Sequence, residues 1–206
     1  IVDTAKYHYL AWRKLANDLG FEFTKEQNEM FKGVSRKRCL EILLDIGGIE
    51  ATQEEFDTWM VEKNVDYLEY IEKMDESEIL PDVTKILDYL KKNNQPIALG
   101  SASKNAKPIL EKVDLLSYFD TIVDGNNVTK AKPDPEVFLL AAEQLGVKPQ
   151  DCIVFEDAVA GIEAANRANM ISIGIGDKNI LHEADNIFND FTEINKDFIE
   201  ELINRK

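Results

Sequence analysis

The sequence is short of cysteine and histidine and has no long apolar run. Its two cysteines, Cys39 and Cys152, lie far apart. They make no metal-ligand spacing and no disulfide framework, and a reducing cytoplasm is the expected compartment. No apolar stretch approaches the ~20 residues that span a bilayer, and no secretory signal opens the chain, so no membrane role is expected. Positive charge is scarce too: 24 Lys and Arg stand against 39 Asp and Glu, a formal net charge of −15. A general nucleic-acid binder needs a basic face, so the acidic balance argues against that class. A local basic pocket for a small anionic molecule stays open. There is no G-x-x-x-x-G-K-S/T loop and no serine-centred nucleophile elbow, and Gly174-Ile175-Gly176 is too short for a dinucleotide fingerprint. An initiator Met is also lacking: the chain opens Ile1-Val2-Asp3-Thr4, which reads as a continuation from upstream.

What is present divides near Pro81. From Ala5 to Met74 the apolar residues recur at helical steps. Tyr7, Leu10, Ala11, Leu15 and Leu19 share one face, and Gly20 closes that helix. Ser35 is placed to cap a helix carrying Cys39, Leu40, Leu43 and Leu44, ended by Gly47-Gly48. Thr52 with Glu55 reads as a capping box for a helix running to about Met74. Beyond Pro81 short apolar runs alternate with helical stretches: Pro96–Gly100, Phe119–Val123, Cys152–Phe155 and Ile171–Ile175. Helices are expected at 82–92, 104–113, from Asp134-Pro135 to Gly146, and at 159–169. Fully apolar short runs between helices suggest parallel strands buried on both faces, hence an open α/β sheet. Such sheets bind ligands beyond the carboxyl ends of their strands.

Three groups stand there. Ser101-Ala102-Ser103-Lys104-Asn105 puts hydroxyls, an amide and a lysine at a helix start, a setting that suits phosphate; a plain N-cap is the alternative. Lys132-Pro133-Asp134-Pro135 holds a lysine off the following helix, where it could stabilise a transferring phosphoryl group; a solvated turn lysine is the alternative. Glu156-Asp157 sets two carboxylates side by side, and magnesium would relieve their repulsion; a capping Asp157 beside an exposed Glu156 is the alternative. The small residues Ala158 and Gly161 would let the next helix approach closely. Three successive strand ends of one sheet should bring these groups together.

This order resembles the second, third and fourth motifs of the haloacid dehalogenase superfamily, and the resemblance covers nearly the whole chain. It implies a Rossmann-like core with a parallel sheet flanked by helices, plus a small all-helical cap domain. Residues 1–4 would be a remnant of the first core strand and linker, 5–80 the cap and 81–206 the core. Lys32-Gly33-Val34-Ser35-Arg36 looks like the substrate-recognition segment of the β-phosphoglucomutase family, as do Thr4, His8, Trp12, Lys63-Asn64 and Ser101–Asn105. The resemblance implies interconversion of β-glucose 1-phosphate and glucose 6-phosphate through an aspartyl phosphate and bound β-glucose 1,6-bisphosphate, by a monomer. Arg36 would hold the non-reacting phosphate with a planar fork, while Gly33 and Val34 contact the sugar. Lys32, Ser35, Lys63, Ser103, Lys104 and Asn105 would help bind substrate. Ser101 and Lys132 would hold the transferring phosphoryl group, and Glu156 and Asp157 would anchor Mg2+. His8, with Thr4 beside it, would couple cap closure to catalysis. Plain readings remain for three of these: an exposed helix arginine, a structural histidine and a surface lysine for Arg36, His8 and Lys63. The family's D-x-D motif, nucleophile and acid/base, does not occur in the sequence. It is expected upstream of Ile1, so the chain by itself is expected to lack its nucleophile, its acid/base and the innermost core strand, and to be inactive and poorly stable. A sugar-phosphate phosphatase of the same superfamily and a non-catalytic sugar-phosphate binding protein are the rival readings.

Overall fold

The computed structural model describes residues 1–31 and 34–204. Its first half is helical. Helix α1 (Ala5–Asp18) ends ahead of Gly20, whose φ of 89° lets the chain turn back. A short α2 (Lys25–Asn28) is closed by a Thr24–Gln27 capping box, a feature the sequence reading passed over. Helix α3 (Arg36–Gly47) starts at Ser35, whose Oγ accepts the Arg38 N–H, and stops at left-handed Gly48. Helix α4 (Gln53–Ile71) begins at the expected Thr52–Glu55 box but ends at Ile71, short of Met74. Trp12, Leu15, Phe23, Phe31, Leu40 and Leu43 make an apolar cluster of this half's own.

The second half alternates as expected, with shorter elements: α5 (Val83–Lys92), β1 (Ala98–Gly100), α6 (Ala106–Lys112), β2 (Thr121–Val123) and α7 (Glu136–Leu145). Then come β3 (Ile153–Glu156), α8 (Val159–Arg167) and β4 (Ile171–Ile175). Pro135, not Asp134, occupies the cap position of α7. Two elements went unread, β5 (Asn186–Phe188) and α9 (Lys196–Ile203).

Every strand pair is parallel, but the expectation of one continuous sheet is corrected. The strands form two pieces, β1-β2 and β3-β4-β5, and among the described residues no strand joins β1 to β3. Apolar runs mark strands without marking their partners. Both pieces nevertheless share the same two apolar layers. Leu99, Ile122, Ile153 and Ile173 face α5, α6 and α9, while Ala98, Val123 and Val154 face α7 and α8. This alternation buries both faces of each piece.

Residues 1–4 join neither piece. Val2 pairs with Ile79 in an antiparallel bridge, with Leu80 N donating to Ile1 O (3.0 Å) and Asp3 N to Glu78 O (3.2 Å). The two chain crossings between the halves therefore run side by side. Glu78 binds Tyr7 Oη (2.6 Å) and Lys6 at the same place.

Candidate active site

The residues after β1 fold into two consecutive hydroxyl turns. Ser101 Oγ accepts the Ser103 N–H and Ser103 Oγ accepts the Asn105 N–H, both at 3.1 Å. Asn105, at the N-terminus of α6, does not cap it with its side chain. It is buried and donates through Nδ2 to Asn64 Oδ1 of α4 (2.9 Å), linking the two halves. Gly125 permits this fold, because a Cβ there would stand 2.7 Å from the Ala102 carbonyl oxygen. The exposed Lys104 contributes its carbonyl, which accepts from Asn126.

Lys132 is no solvated turn lysine, since its side chain is 6% exposed. Its Nζ donates to Glu156 Oε2 (2.7 Å) and to the Gly100 carbonyl (3.2 Å), and lies 4.6 Å from the centroid of the Phe138 ring. One ammonium thus ties the ends of β1 and β3. Lys132 sits in the loop after β2, however, and not at that strand's end. The residue there is buried Asp124, which closes a turn with Asn126 and Asn127. Reading the residue after every apolar run, including Phe119–Val123, would have found it.

Glu156 is pushed above the usual carboxylate range, first by burial and then by Asp157, with Lys132 opposing the rise. Its other oxygen accepts the Ala158 N–H (3.3 Å). Gly161 makes the room: a Cβ there would lie 2.1 Å from Glu156 Cδ. The small residue therefore serves the carboxylate as much as helix packing. Asp157 is exposed and does not cap α8.

Among the described residues no three His, Cys, Asp or Glu side chains meet as a ready-made metal site. Glu156 and Asp157 still fit magnesium, an ion commonly held by one or two carboxylates plus water and substrate phosphate. The missing Cβ at Gly161 is what lets the Glu156 side chain lie across the start of α8.

A second cluster lies on the helical side. Lys63 is 1% exposed, so the surface-lysine reading falls. Its Nζ is 2.9 Å from His8 Nδ1 and 4.5 and 4.7 Å from the ring centroids of Trp12 and Tyr67. His8 stacks on Tyr67 with centroids 4.0 Å apart. Burial and the nearby Arg36 bring Lys63 down to about 7. Burial, Lys63 and Arg36 hold His8 well below the ordinary imidazole range. Arg36, half-buried at the start of α3, is lowered by burial. The cluster gathers cationic groups on an acidic protein, the arrangement an anion would complete.

His8 thus contacts Lys63 and Tyr67, not the Lys132–Glu156 pair. Thr4 precedes α1 and does not stand on it; its carbonyl accepts the Tyr7 and His8 N–H groups. Ser35 uses its hydroxyl as a cap, and Val34 packs on the helical core. Lys32 and Gly33 lie outside the described residues. Tyr67, Phe138 and Asp124 were not singled out from sequence; Asn64 and Asn105 were, but not their bond to each other.

The depressed lysine and histidine have a testable sign. Each binds fewer protons folded than unfolded, so each makes stability rise with pH. For Lys63 the window runs from about 7 to its ordinary 10.5; for His8 it lies below 6.5. Urea unfolding of wild type should gain at most about 1.4 kcal/mol per pH unit through the Lys63 window. Lys63→Met should flatten that rise, and an unchanged slope would refute the assignment.

The model of the haloacid dehalogenase-like hydrolase family matches residues 1–169. The chain is 38% identical to the β-phosphoglucomutase of Bacillus subtilis, over 98% of this chain and 90% of that one. It is 31% identical to a phosphorylated carbohydrates phosphatase of Thermotoga maritima, over 82% and 77%. Among solved structures, β-phosphoglucomutase from Clostridium difficile superposes with a TM-score of 0.94 at 40% identity, covering 99% of this chain and 92% of that one. The all-parallel strands flanked by helices, the Lys132 tie between Gly100 and Glu156 and these matches agree: the chain belongs to the haloacid dehalogenase-like hydrolase family, on its β-phosphoglucomutase branch.

Proposed function

We propose that the chain interconverts β-glucose 1-phosphate and glucose 6-phosphate, with β-glucose 1,6-bisphosphate as the intermediate. The observation that carries this reading is a pair of anion-ready clusters: Lys132 on the α/β side, whose ammonium meets the Gly100 carbonyl next to Ser101, and Arg36, Lys63 and His8 on the helical side. A mutase must hold two phosphates at once, and a simple phosphatase needs to hold one. Residues 5–80 act as the cap and 81–206 as the core, a division supported by the separate apolar cluster of the helices.

On this reading Lys132 neutralises charge on the transferring phosphoryl group, and Ser101 Oγ donates to it. Glu156 keeps the Lys132 ammonium aimed, and Arg36 grips the far phosphate. Magnesium held by Glu156 and Asp157 would offset phosphoryl oxygen charge when bound. The Asn105–Asn64 link draws the cap onto the core, where excluding water favours return of the phosphoryl group to sugar over its hydrolysis. The nucleophilic aspartate of the D-x-D motif is not in the sequence. A cytoplasmic monomer completes the proposal; both cysteines are free, as a reducing compartment would keep them. Among the described residues no helix is long and apolar enough to cross a membrane.

The test joins a D-x-D strand ahead of Ile1 and supplies β-glucose 1-phosphate, a trace of the bisphosphate and magnesium. Phosphorus NMR should show glucose 6-phosphate as the main product. Free phosphate as the main product would establish the phosphatase reading, and no turnover would favour a binding protein. In the active form Arg36→Ala should raise KM roughly 10- to 100-fold, the cost of lost charge-assisted hydrogen bonds.

A further inference from the structure

The reading above leaves Glu136 without a task, yet its carboxylate is among the most heavily bonded in the molecule. It accepts from Thr129 N at 3.0 Å with both oxygens, from Thr129 Oγ at 3.0 Å, and from Lys130 N at 2.7 Å. These donors lie upstream in the loop, not in the first turn of α7. The helix does not need the carboxylate for its own start, because the Glu136 N–H is already met by Asp134 Oδ1 (3.1 Å). The bonds close residues 129–136 into a ring, and Lys132 projects from that ring towards Glu156. A lysine side chain is flexible and loses rotamer entropy when held in one pose. A fixed base reduces what must be lost on binding. The same loop is gripped on its other flank, where Arg167 Nη1 donates to the Pro133 carbonyl (3.1 Å).

We propose that Glu136 is the positioning residue for Lys132, holding the loop so that the ammonium meets the transferring phosphoryl group. The inference deepens the functional reading and rests on it. The loop amides also keep Glu136 below the ordinary carboxylate range, so the clamp stays charged at neutral pH.

The test uses the 206-residue chain, with inorganic phosphate as the probe and two readouts. Phosphate affinity is followed by phosphorus NMR, and the Lys132 side-chain ammonium by its ¹H–¹⁵N signal. Glu136→Gln should weaken phosphate binding roughly tenfold, about one charge-assisted hydrogen bond's worth, and broaden the Lys132 signal beyond detection. Glu136→Asp, which keeps the charge, should recover more than half of the affinity. A sharp Lys132 signal and unchanged affinity in Glu136→Gln, with only the melting temperature lowered, would overturn the proposal. If Glu136→Gln does not fold, Thr129→Val replaces it. That variant removes one of the accepted donors and should broaden the signal in the same sense; an unaltered signal would overturn the proposal. If wild type binds no phosphate, the functional reading fails, while the Lys132 signal still decides the role of Glu136.

Discussion

Replacing Lys132 by Met should lower stability at neutral pH by about 3–5 kcal/mol, the usual cost of leaving one member of a buried ion pair alone. The Lys132 and Glu156 side chains are only 6% and 10% exposed, so water screens their pairing poorly. The loss should depend on pH with a definite sign. Glu156 already sits above the usual carboxylate range with its cation present, and without it the group rises further. A carboxyl raised on folding contributes its stability below its unfolded pKa and loses it as pH rises through the folded value. The deficit should therefore shrink on acidification. The double variant Lys132→Met/Glu156→Gln removes both charges and should recover much of the loss. Urea unfolding at pH 5 and pH 8 checks this, and a single variant as stable as the double one would refute it. Phosphate affinity should fall in both variants by roughly 10²- to 10³-fold, the scale of losing one preorganised charged contact.

Gly161→Ala should damage the same site from beneath. Alanine in a helix interior is normally favoured over glycine by ~1 kcal/mol. Here the added methyl would meet Glu156 Cδ at 2.1 Å and Oε2 at 2.4 Å. Glu156 cannot simply swing away, because Lys132 and the Ala158 N–H hold both of its oxygens. Overpacking of this kind costs about 1–3 kcal/mol, which outweighs the propensity gain. The variant should be destabilised and should bind phosphate weakly. Glu156→Asp in the same chain withdraws the carboxyl by one methylene and should restore part of the stability. A Gly161→Ala chain more stable than wild type with normal phosphate affinity would show that the contact is relieved without consequence.

Features governed by local rules were legible in the sequence. The Thr52–Glu55 box, the Ser35 cap and the left-handed Gly48 and Gly146 depend on a few neighbouring residues, and each stands where the spacing puts it. Lys132 and Glu156 were each legible as site residues, but Lys132 meets Glu156 from the loop after β2 and across two separate sheet pieces, so their meeting did not follow from the strand ends of one sheet. Partnership was harder. Nothing in an apolar run states which strand lies beside it, so the two-piece sheet went unseen. β5 is three residues long and flanked by polar chain, too short to show a period. Lys63 looks like any charged position on a long amphipathic helix. Its burial is created by Trp12 from one helix and Tyr67 from its own, contacts that only the tertiary structure supplies.

The paired crossings at Val2 and Ile79 carry a mechanical consequence. Two connections bonded side by side attach the helices to the sheets at one place, with Glu78 holding Tyr7 and Lys6 there. A single place of attachment leaves the orientation of the halves to be set elsewhere. The Asn64–Asn105 bond and the packing of Ala11, Tyr67, Ile71 and Met74 into the sheet-side core set it, so the register of the halves is written in side chains and not in the crossings.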